Sequence, residues 1–285
     1  MAGKILVAGA TGNLGGALVE ALLRKDIQVR AAARDPGKVK TRAGVEAVKL
    51  DFGDASTIEP ALAGVGGVFL IAPPMDPDAP AKLRPVIDRA KAAGVKQIAF
   101  NSAFGANLNE ESPLRVVERY LMESGITYTI TRPNFFMDNF STGFIAPMIR
   151  EHDAIFLAAG EAKTSFIAAA DVAEVLAGAF AGELTGREYN LTGPAPLDHF
   201  EVADIVSRAA GRKISYQPIS EEQMMEGIRQ AGGPAGADKY AAALYSFVRA
   251  GYMSAVTDEV EKALGRKPVS FAEFAKAKAG VWKNG

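Results

Sequence analysis

Apolar positions in the first half of the chain come in short runs, each followed by a longer stretch of helical spacing. KILVAGA (4–10), QVRAAA (28–33), VEAVKL (45–50), GVFLIA (67–72), KQIAFN (96–101) and TYTITR (127–132) read as strands. Several are apolar on both faces, the pattern of strands buried within a parallel sheet. Residues 13–24, 56–63, 79–93 and 112–124 repeat their apolar side chains at helical period. Strands alternating with helices of this size predict an α/β fold with a doubly wound parallel sheet of the Rossmann type. The helix near 112 shows the local logic. Ser112 suits the N-cap and Pro113 the first helical position, and Leu114, Val117 and Leu121 form one apolar stripe. Arg115, Glu118 and Arg119 are assigned to its solvated face.

After residue 133 the pattern changes. FFMDNFSTGF is aromatic and lacks a clear period, AADVAEVLAGAF (169–180) predicts a helix with Asp171 as its cap, and EYNLTG (188–193) reads as a late strand. From about 198 the chain reads mainly as helix, broken at the Gly/Pro-rich AGGPAGA (231–237). The expected organisation is a dinucleotide-binding domain over 1–150, with parts of 165–195 returning to it. A smaller, mainly helical C-terminal lobe spans 151–285.

Composition narrows the partners. The chain has 285 residues, is 48% hydrophobic and carries a formal charge of −1, so nothing in it captures nucleic acid or an anionic membrane by charge. It has no cysteine, which excludes disulfides, thiol nucleophiles and zinc–thiolate sites. Its two histidines, His152 and His199, lie too far apart in sequence to suggest a metal site. Lys4 leads directly into a strand, and no window has the length of an apolar membrane span. A cytoplasmic protein without a leader is expected, a monomer or homodimer acting on a small molecule.

The sharpest chemical signal is GATGNLG (9–15), placed after the first strand and before a helix. Its G-x-x-G-x-x-G spacing is one residue wider at the start than the dinucleotide fingerprint, but the physical logic is the same. Gly9 permits a tight turn, Gly12 lets the backbone approach a pyrophosphate, and Gly15 lets the helix pack on the strand. Thr11, Asn13 and Leu14 complete the loop, and the helix N-terminus faces the anion. The second strand then runs into AAARDPGK (31–38). NAD sites usually place a carboxylate there. This strand ends in Arg34, followed by Lys38, a fork and a point charge suited to a 2′-phosphate, so NADP(H) is favoured. Asp35 stands against this, because a one-residue shift puts a carboxylate in its place. LDFGD (50–54) sets Asp51 and Phe52 at the end of the third strand, where they can flank an adenine or form a solvated turn. IAPPM (71–75) ends the fourth, so Ala72 and Pro73 border the nicotinamide, with Pro73 and Pro74 stiffening the loop.

GATGNLG, RDPGK, LDFGD, NSAFGA (101–106) and SGITYTITRPNFFMDN (124–139) together resemble the NmrA-like branch of the atypical short-chain dehydrogenase/reductases. The resemblance extends through FIAAADVAEV and VTDEVEKALGRKPVSFAEF, nearly the whole chain. That group includes quinone reductases and triphenylmethane-dye reductases, and some members are cofactor-sensing regulators without catalysis. The resemblance implies an extended Rossmann domain that binds NADP, with substrate held under a smaller C-terminal lobe.

The catalytic apparatus is less clear. The Y-x-x-x-K pair of many dehydrogenases is missing after the fifth strand: Tyr120 is followed four residues later by Ser124, and Tyr128 by Arg132. Ser102 stands where the family often has a serine, positioned to bond a carbonyl substrate or the nicotinamide ribose, or simply the backbone. Relatives carry a lysine or histidine early on the next helix, a position that falls here on Leu114. Leucine donates no proton, so the chemistry shifts toward acceptors that scarcely need one, such as quinones, dyes or cyclic imines. NFFMDNF follows the sixth strand, where ligands of open α/β sheets sit. Asn134, Phe135, Phe136, Met137, Phe140 and Phe144 are expected to wall an apolar or aromatic substrate or to join a core, with Leu114 adding an apolar contact to the same pocket. An NADPH-dependent reductase is the leading reading. A non-catalytic NADP sensor and a non-redox isomerase or cyclase are the alternatives.

Overall fold

The computed structural model describes residues 3–73, 76–184, 188–233 and 235–283. Pro74, part of the predicted stiff loop, and Pro234, inside the predicted break, lie outside them. The strands are β1 (Lys4–Ala8), β2 (Val29–Ala33), β3 (Val45–Lys49), β4 (Val65–Ile71), β5 (Gln97–Asn101), β6 (Thr127–Pro133), β7 (Ala154–Leu157), β8 (Glu188–Leu191) and β9 (Ser215–Pro218). The helices are α1 (Asn13–Arg24), α2 (Ile58–Leu62), α3 (Ala79–Ala92), α4 (Pro113–Glu123), α5 (Ala146–His152) and α6 (Ala169–Phe180). They continue with α7 (His199–Ala210), α8 (Glu221–Gln230), α9 (Ala237–Arg249), α10 (Glu259–Leu264) and α11 (Phe271–Trp282).

The chain divides into two units. The first comprises Met1–Pro133, Ala169–Leu191 and Glu259–Arg266; the second comprises Asn134–Ala168, Thr192–Asp258 and Lys267–Gly285. The 134–150 stretch, placed by its sequence in the dinucleotide domain, therefore groups with the second unit.

In the first unit seven strands pair in the order β3-β2-β1-β4-β5-β6-β8, every pairing parallel. Parallel neighbours need crossover connections, which is why helical segments separate the strand runs in sequence. The central strands are dry on both faces: Leu6, Val68, Phe69 and Phe100 are wholly buried. Helix α1 turns Leu14, Leu18 and Leu22 inward at four-residue spacing. Helix α6 starts at Ala169, two residues before Asp171, so Asp171 is not its cap. Its carboxylate sits fully buried in the first turn and meets the Arg266 guanidinium at 2.8 Å. A negative charge in that turn still complements the positive helix end.

The second unit holds a small parallel sheet of β7 and β9, registered from Ala154↔Ser215 to Leu157↔Pro218. Sequence pattern missed β9, because a four-residue strand carries little periodicity and its partner lies some sixty residues upstream. The core of this unit is aromatic. Phe140, Phe166 and Phe271 meet edge to face with centroids 5.2–5.6 Å apart. Buried Trp282 donates its indole N–H to the Phe140 carbonyl at 2.7 Å. Arg212 ties three segments together, donating to the Ile149 carbonyl at 3.1 Å, the Asp153 carboxylate at 2.5 Å and the Trp282 carbonyl. Among the described residues, no helix is long and apolar enough to cross a membrane.

Candidate cofactor and active site

Within the first unit, the predicted cofactor residues follow the carboxyl ends of β1 to β4. Gly9 has φ +65°, the left-handed region that a side chain strains, and its carbonyl accepts from the Gly12 N–H at 2.9 Å. Ala10 donates to the Ala32 carbonyl at 3.1 Å, pinning the loop to β2. A Cβ on Gly15 would collide with the Gly9 carbonyl and reach 3.0 Å from the Ala10 Cα. Only glycine lets α1 start so close to the loop, which leaves the cradle in front of it open. Gly12 caps α1 with extended backbone and no side-chain bond, and the first turn carries no acid. The Gly12 cap thus brings no side chain to the start of α1, and a helix N-terminus of this kind suits an anion. Thr11, Gly12 and Asn13 are exposed at this face. Leu14 is not: its side chain is 4% exposed and packs in the core, so only its backbone can serve a ligand.

Arg34 and Lys38 are exposed after β2, and neither side chain has a hydrogen-bond or ion-pair partner among the described residues. Asp35 is engaged. Its Oδ1 accepts the Gly37 N–H at 3.0 Å and caps the short turn at Pro36–Lys38. The carboxylate that competed for the ribose is thus partly spent on its own turn, whereas Arg34 remains available. Asp51 is likewise part of a turn, accepting the Gly53 N–H at 3.0 Å, and half-buried Phe52 and Ala72 pack on the sheet's core. Pro73 is half-buried beside Ala72.

At the end of β5, Ser102 is 5% exposed, and its N–H donates to the Thr131 carbonyl at 2.8 Å. Its hydroxyl is buried and has no hydrogen-bond partner among the described residues. Beside it lies a charge cluster that sequence reading missed. Glu118, assigned to the solvated face of α4, is wholly buried. Arg132, 2% exposed at the end of β6, forks onto it through Nε at 2.8 Å and Nη2 at 2.6 Å, and also meets Glu188 at 2.5 Å. Arg115 adds a third contact to Glu118 at 3.1 Å. Burial alone would push the Glu118 carboxyl up; the Arg132 fork, with Ser102 and Arg115 close by, outweighs it and holds the carboxyl below its usual range. A signal existed. Glu118 is the i+4 position from Leu114, inside the 114–117–121 stripe, so helical geometry already aimed it inward.

Leu114 is half-buried and packs on the same apolar core. Tyr120 is no free acid either. Its phenol donates to Asp88 at 2.6 Å, which raises its pKa above the ordinary value, and the Arg84 guanidinium lies 5.0 Å over its ring.

In the second unit the structure separates the 134–144 run. Asn134 is buried and committed: its amide donates to Ser165 Oγ at 2.8 Å and the Met253 carbonyl at 2.9 Å, and its Oδ1 accepts the Phe135 N–H at 2.8 Å. Met137 and Phe140 are each 1% exposed, and Phe140 stands at the centre of the aromatic core. These three are packing and anchoring residues in this structure, because the chain needed apolar mass and a buried amide there. Phe135 and Phe136 are half-buried, with Phe135 edge-on to Tyr245 at 6.1 Å, and Phe144 is 54% exposed. His199 lies among Phe140, Phe166 and Tyr216, its Nδ1 has no hydrogen-bond partner among the described residues, and burial lowers its pKa to about 4.

An all-parallel sheet with this strand order, a glycine loop after β1 and an exposed arginine after β2 define a dinucleotide-binding Rossmann-type protein. The chain belongs to the NmrA-like family, whose model matches residues 1–275. It is 34% identical over 289 residues to the NAD(P)H azoreductase of Xenophilus azovorans, covering 98% of this chain and 99% of the relative. In structure it is similar to the NADPH complex of the Escherichia coli quinone oxidoreductase QOR2 (TM-score 0.82, 28% identity, 96% of this chain and 99% of the other). It is similar also to the Citrobacter triphenylmethane reductase (TM-score 0.82, 28% identity, 97% and 99%).

Proposed function

We propose that this protein is an NADPH-dependent reductase that passes a hydride to an apolar or aromatic conjugated acceptor: a quinone, a dye or a cyclic imine. The coarser part, an NAD(P)H-dependent oxidoreductase, rests on full-length likeness to named azo-, quinone- and dye-reducing enzymes. The loop from Gly9 to Gly15 would hold the pyrophosphate, and Arg34 with Lys38 the 2′-phosphate. Bound NADPH supplies the hydride, and the chain's own residues bind and orient it.

The observation that carries the acceptor class is the make-up of α4. Leu114 offers no proton at the position where the family resemblance implies a lysine or histidine, and the Tyr120 phenol is tied to Asp88. A ketone needs a proton delivered to its oxygen as hydride arrives. An electron-poor quinone, cationic dye or iminium accepts hydride first, and water supplies any later proton.

The test mixes the protein and NADPH with menadione, malachite green and a cyclic imine, following the nicotinamide absorbance. Turnover of these and not of simple ketones is expected. Tight NADPH binding without turnover of any acceptor would replace this reading with a cofactor sensor, which Leu114 equally permits. For cofactor choice, Arg34→Ala should weaken NADPH roughly 10- to 100-fold and leave NADH nearly unchanged, the range of a lost charge-assisted hydrogen bond. An unchanged preference would remove Arg34 from the site.

A further inference from the structure

The Ser102 hydroxyl and the Glu118 carboxylate leave one hydrogen bond unmade between them. An ionised carboxylate has about four acceptor positions. Among the described residues three donors reach Glu118: Arg132 Nε on Oε1, and Arg132 Nη2 with Arg115 Nη1 on Oε2. One position remains, on Oε1. Ser102 is a buried hydroxyl without a hydrogen-bond partner among the described residues, and the β5–β6 register, with its N–H on the Thr131 carbonyl at 2.8 Å, sets it beside Arg132, the residue that forks Glu118. The Asn101 amide N–H2 donates to the Ser102 carbonyl at 3.2 Å, and Asn101 Oδ1 accepts from Thr131 Oγ1 at 3.1 Å. A carboxylate forked by a buried arginine can only accept.

We propose that Glu118, held in place by Arg132, is a positioning residue that takes the Ser102 hydrogen, so that Ser102 presents a lone pair rather than a hydrogen to its ligand. The inference rests on the NADPH-reductase reading and deepens it. A hydroxyl has one hydrogen to give. With that hydrogen turned to Glu118, Ser102 cannot donate to a quinone or other carbonyl acceptor, which has no hydrogen to offer in return. What it can bind is an N–H or O–H donor. On NADPH these are the carboxamide N–H2 of the nicotinamide and the hydroxyls of its ribose. Ser102 therefore belongs to the cofactor side of the site, and the acceptor is held by apolar contact.

The experiment is a fluorescence titration of NADPH against the wild type, Ser102→Ala, Glu118→Gln and the double variant, with menadione KM measured alongside. Ser102→Ala should weaken NADPH roughly two- to tenfold, the range of one neutral hydrogen bond, without changing the menadione KM. In Glu118→Gln, Arg132 Nη2 and Arg115 keep the amide oxygen, while the amide N–H2 takes the place of Oε1, where it gives up the Arg132 Nε bond and faces Ser102 as a donor. The hydroxyl is then turned outward as a donor, and NADPH weakens by at least as much. The decisive reading is the double variant: in the Ser102→Ala background, Glu118→Gln should cost NADPH nothing further. A merely structural Glu118 would show its full effect in both backgrounds and overturn the proposal. A changed menadione KM with an unchanged NADPH affinity in Ser102→Ala would also overturn it. Should Glu118→Gln fail to fold, Ser102→Ala still decides between cofactor and acceptor. An NADPH analogue with acetyl in place of carboxamide separates the donors: the Ser102→Ala penalty vanishes if the carboxamide is the donor and persists if a ribose hydroxyl is. A wild type that binds no NADPH would instead sink the reductase reading, an outcome separate from these.

Discussion

The glycine loop of the first unit and the aromatic run of the second make an instructive pair. Each follows a strand of the main sheet in sequence, and each reads as a binding segment. In the loop, the required feature is backbone: the left-handed Gly9 and the missing Cβ of Gly15 are local necessities. In the run, the residue type says only that apolar mass is wanted. Packing then buries Met137 and Phe140, leaves Phe135 and Phe136 half-covered and exposes Phe144. A constraint on backbone shape survives translation from sequence to site; a preference for apolar surroundings does not say which ones.

That contrast can be broken at several points. The largest effect belongs to Phe140→Ala, which removes a ring from the centre of an aromatic cluster. It should cost about 3–5 kcal/mol in urea unfolding. A loss below 1 kcal/mol would return Phe140 to the list of substrate contacts.

Acid is the next lever, and it acts on the second unit. His199 is buried neutral, with its folded pKa lowered by burial to about 4 from an ordinary 6.5. The unfolded chain therefore binds a proton that the folded one refuses. Stability is full above about pH 6.5 and falls as pH drops toward 4, by about 1.4 kcal/mol for each pH unit crossed and about 3 kcal/mol in all. Urea midpoints at pH 7 and pH 5 should differ accordingly. His199→Phe should flatten the difference, whereas an unchanged slope in that variant would assign it elsewhere.

Gly15→Ala tests the loop. The added Cβ must displace the Gly9 carbonyl, so a loss of about 1–3 kcal/mol is expected, as for other overpacked sites. NADPH affinity should fall with it, since the displaced carbonyl belongs to the cradle. A folded variant with wild-type affinity would show that the close approach serves packing alone. The smallest effect is Phe144→Ala. An exposed ring with no core role should change stability by no more than about 0.5 kcal/mol. A clear rise in the KM of a dye or quinone at unchanged stability would identify Phe144 as a contact for the acceptor.

The α4 helix shows where legibility stopped. Ser112 and Pro113 begin it as their residue types require, although the Ser112 side chain makes no capping bond. Leu114, Val117 and Leu121 face the core. Glu118 shares their stripe and was placed in solvent only because charged residues are seldom buried alone. It is not alone: Arg132 waits at the end of a strand on another part of the sheet, 14 residues on. Likewise Asp171 reads as a cap until Arg266 supplies a partner inside the same unit.

The sequence by itself determined the strand–helix alternation of the sheet, the glycine cradle, and the basic turn at Arg34. Each is written in a local period or a local steric demand. Tertiary structure alone decided that Glu118 and Arg132 meet beside Ser102, that β7 finds β9, and which phenylalanines are core. Those outcomes depend on which distant side chains arrive to pair or pack. No local pattern carries that information, because burying a charge or a ring is favourable only once its partner is there.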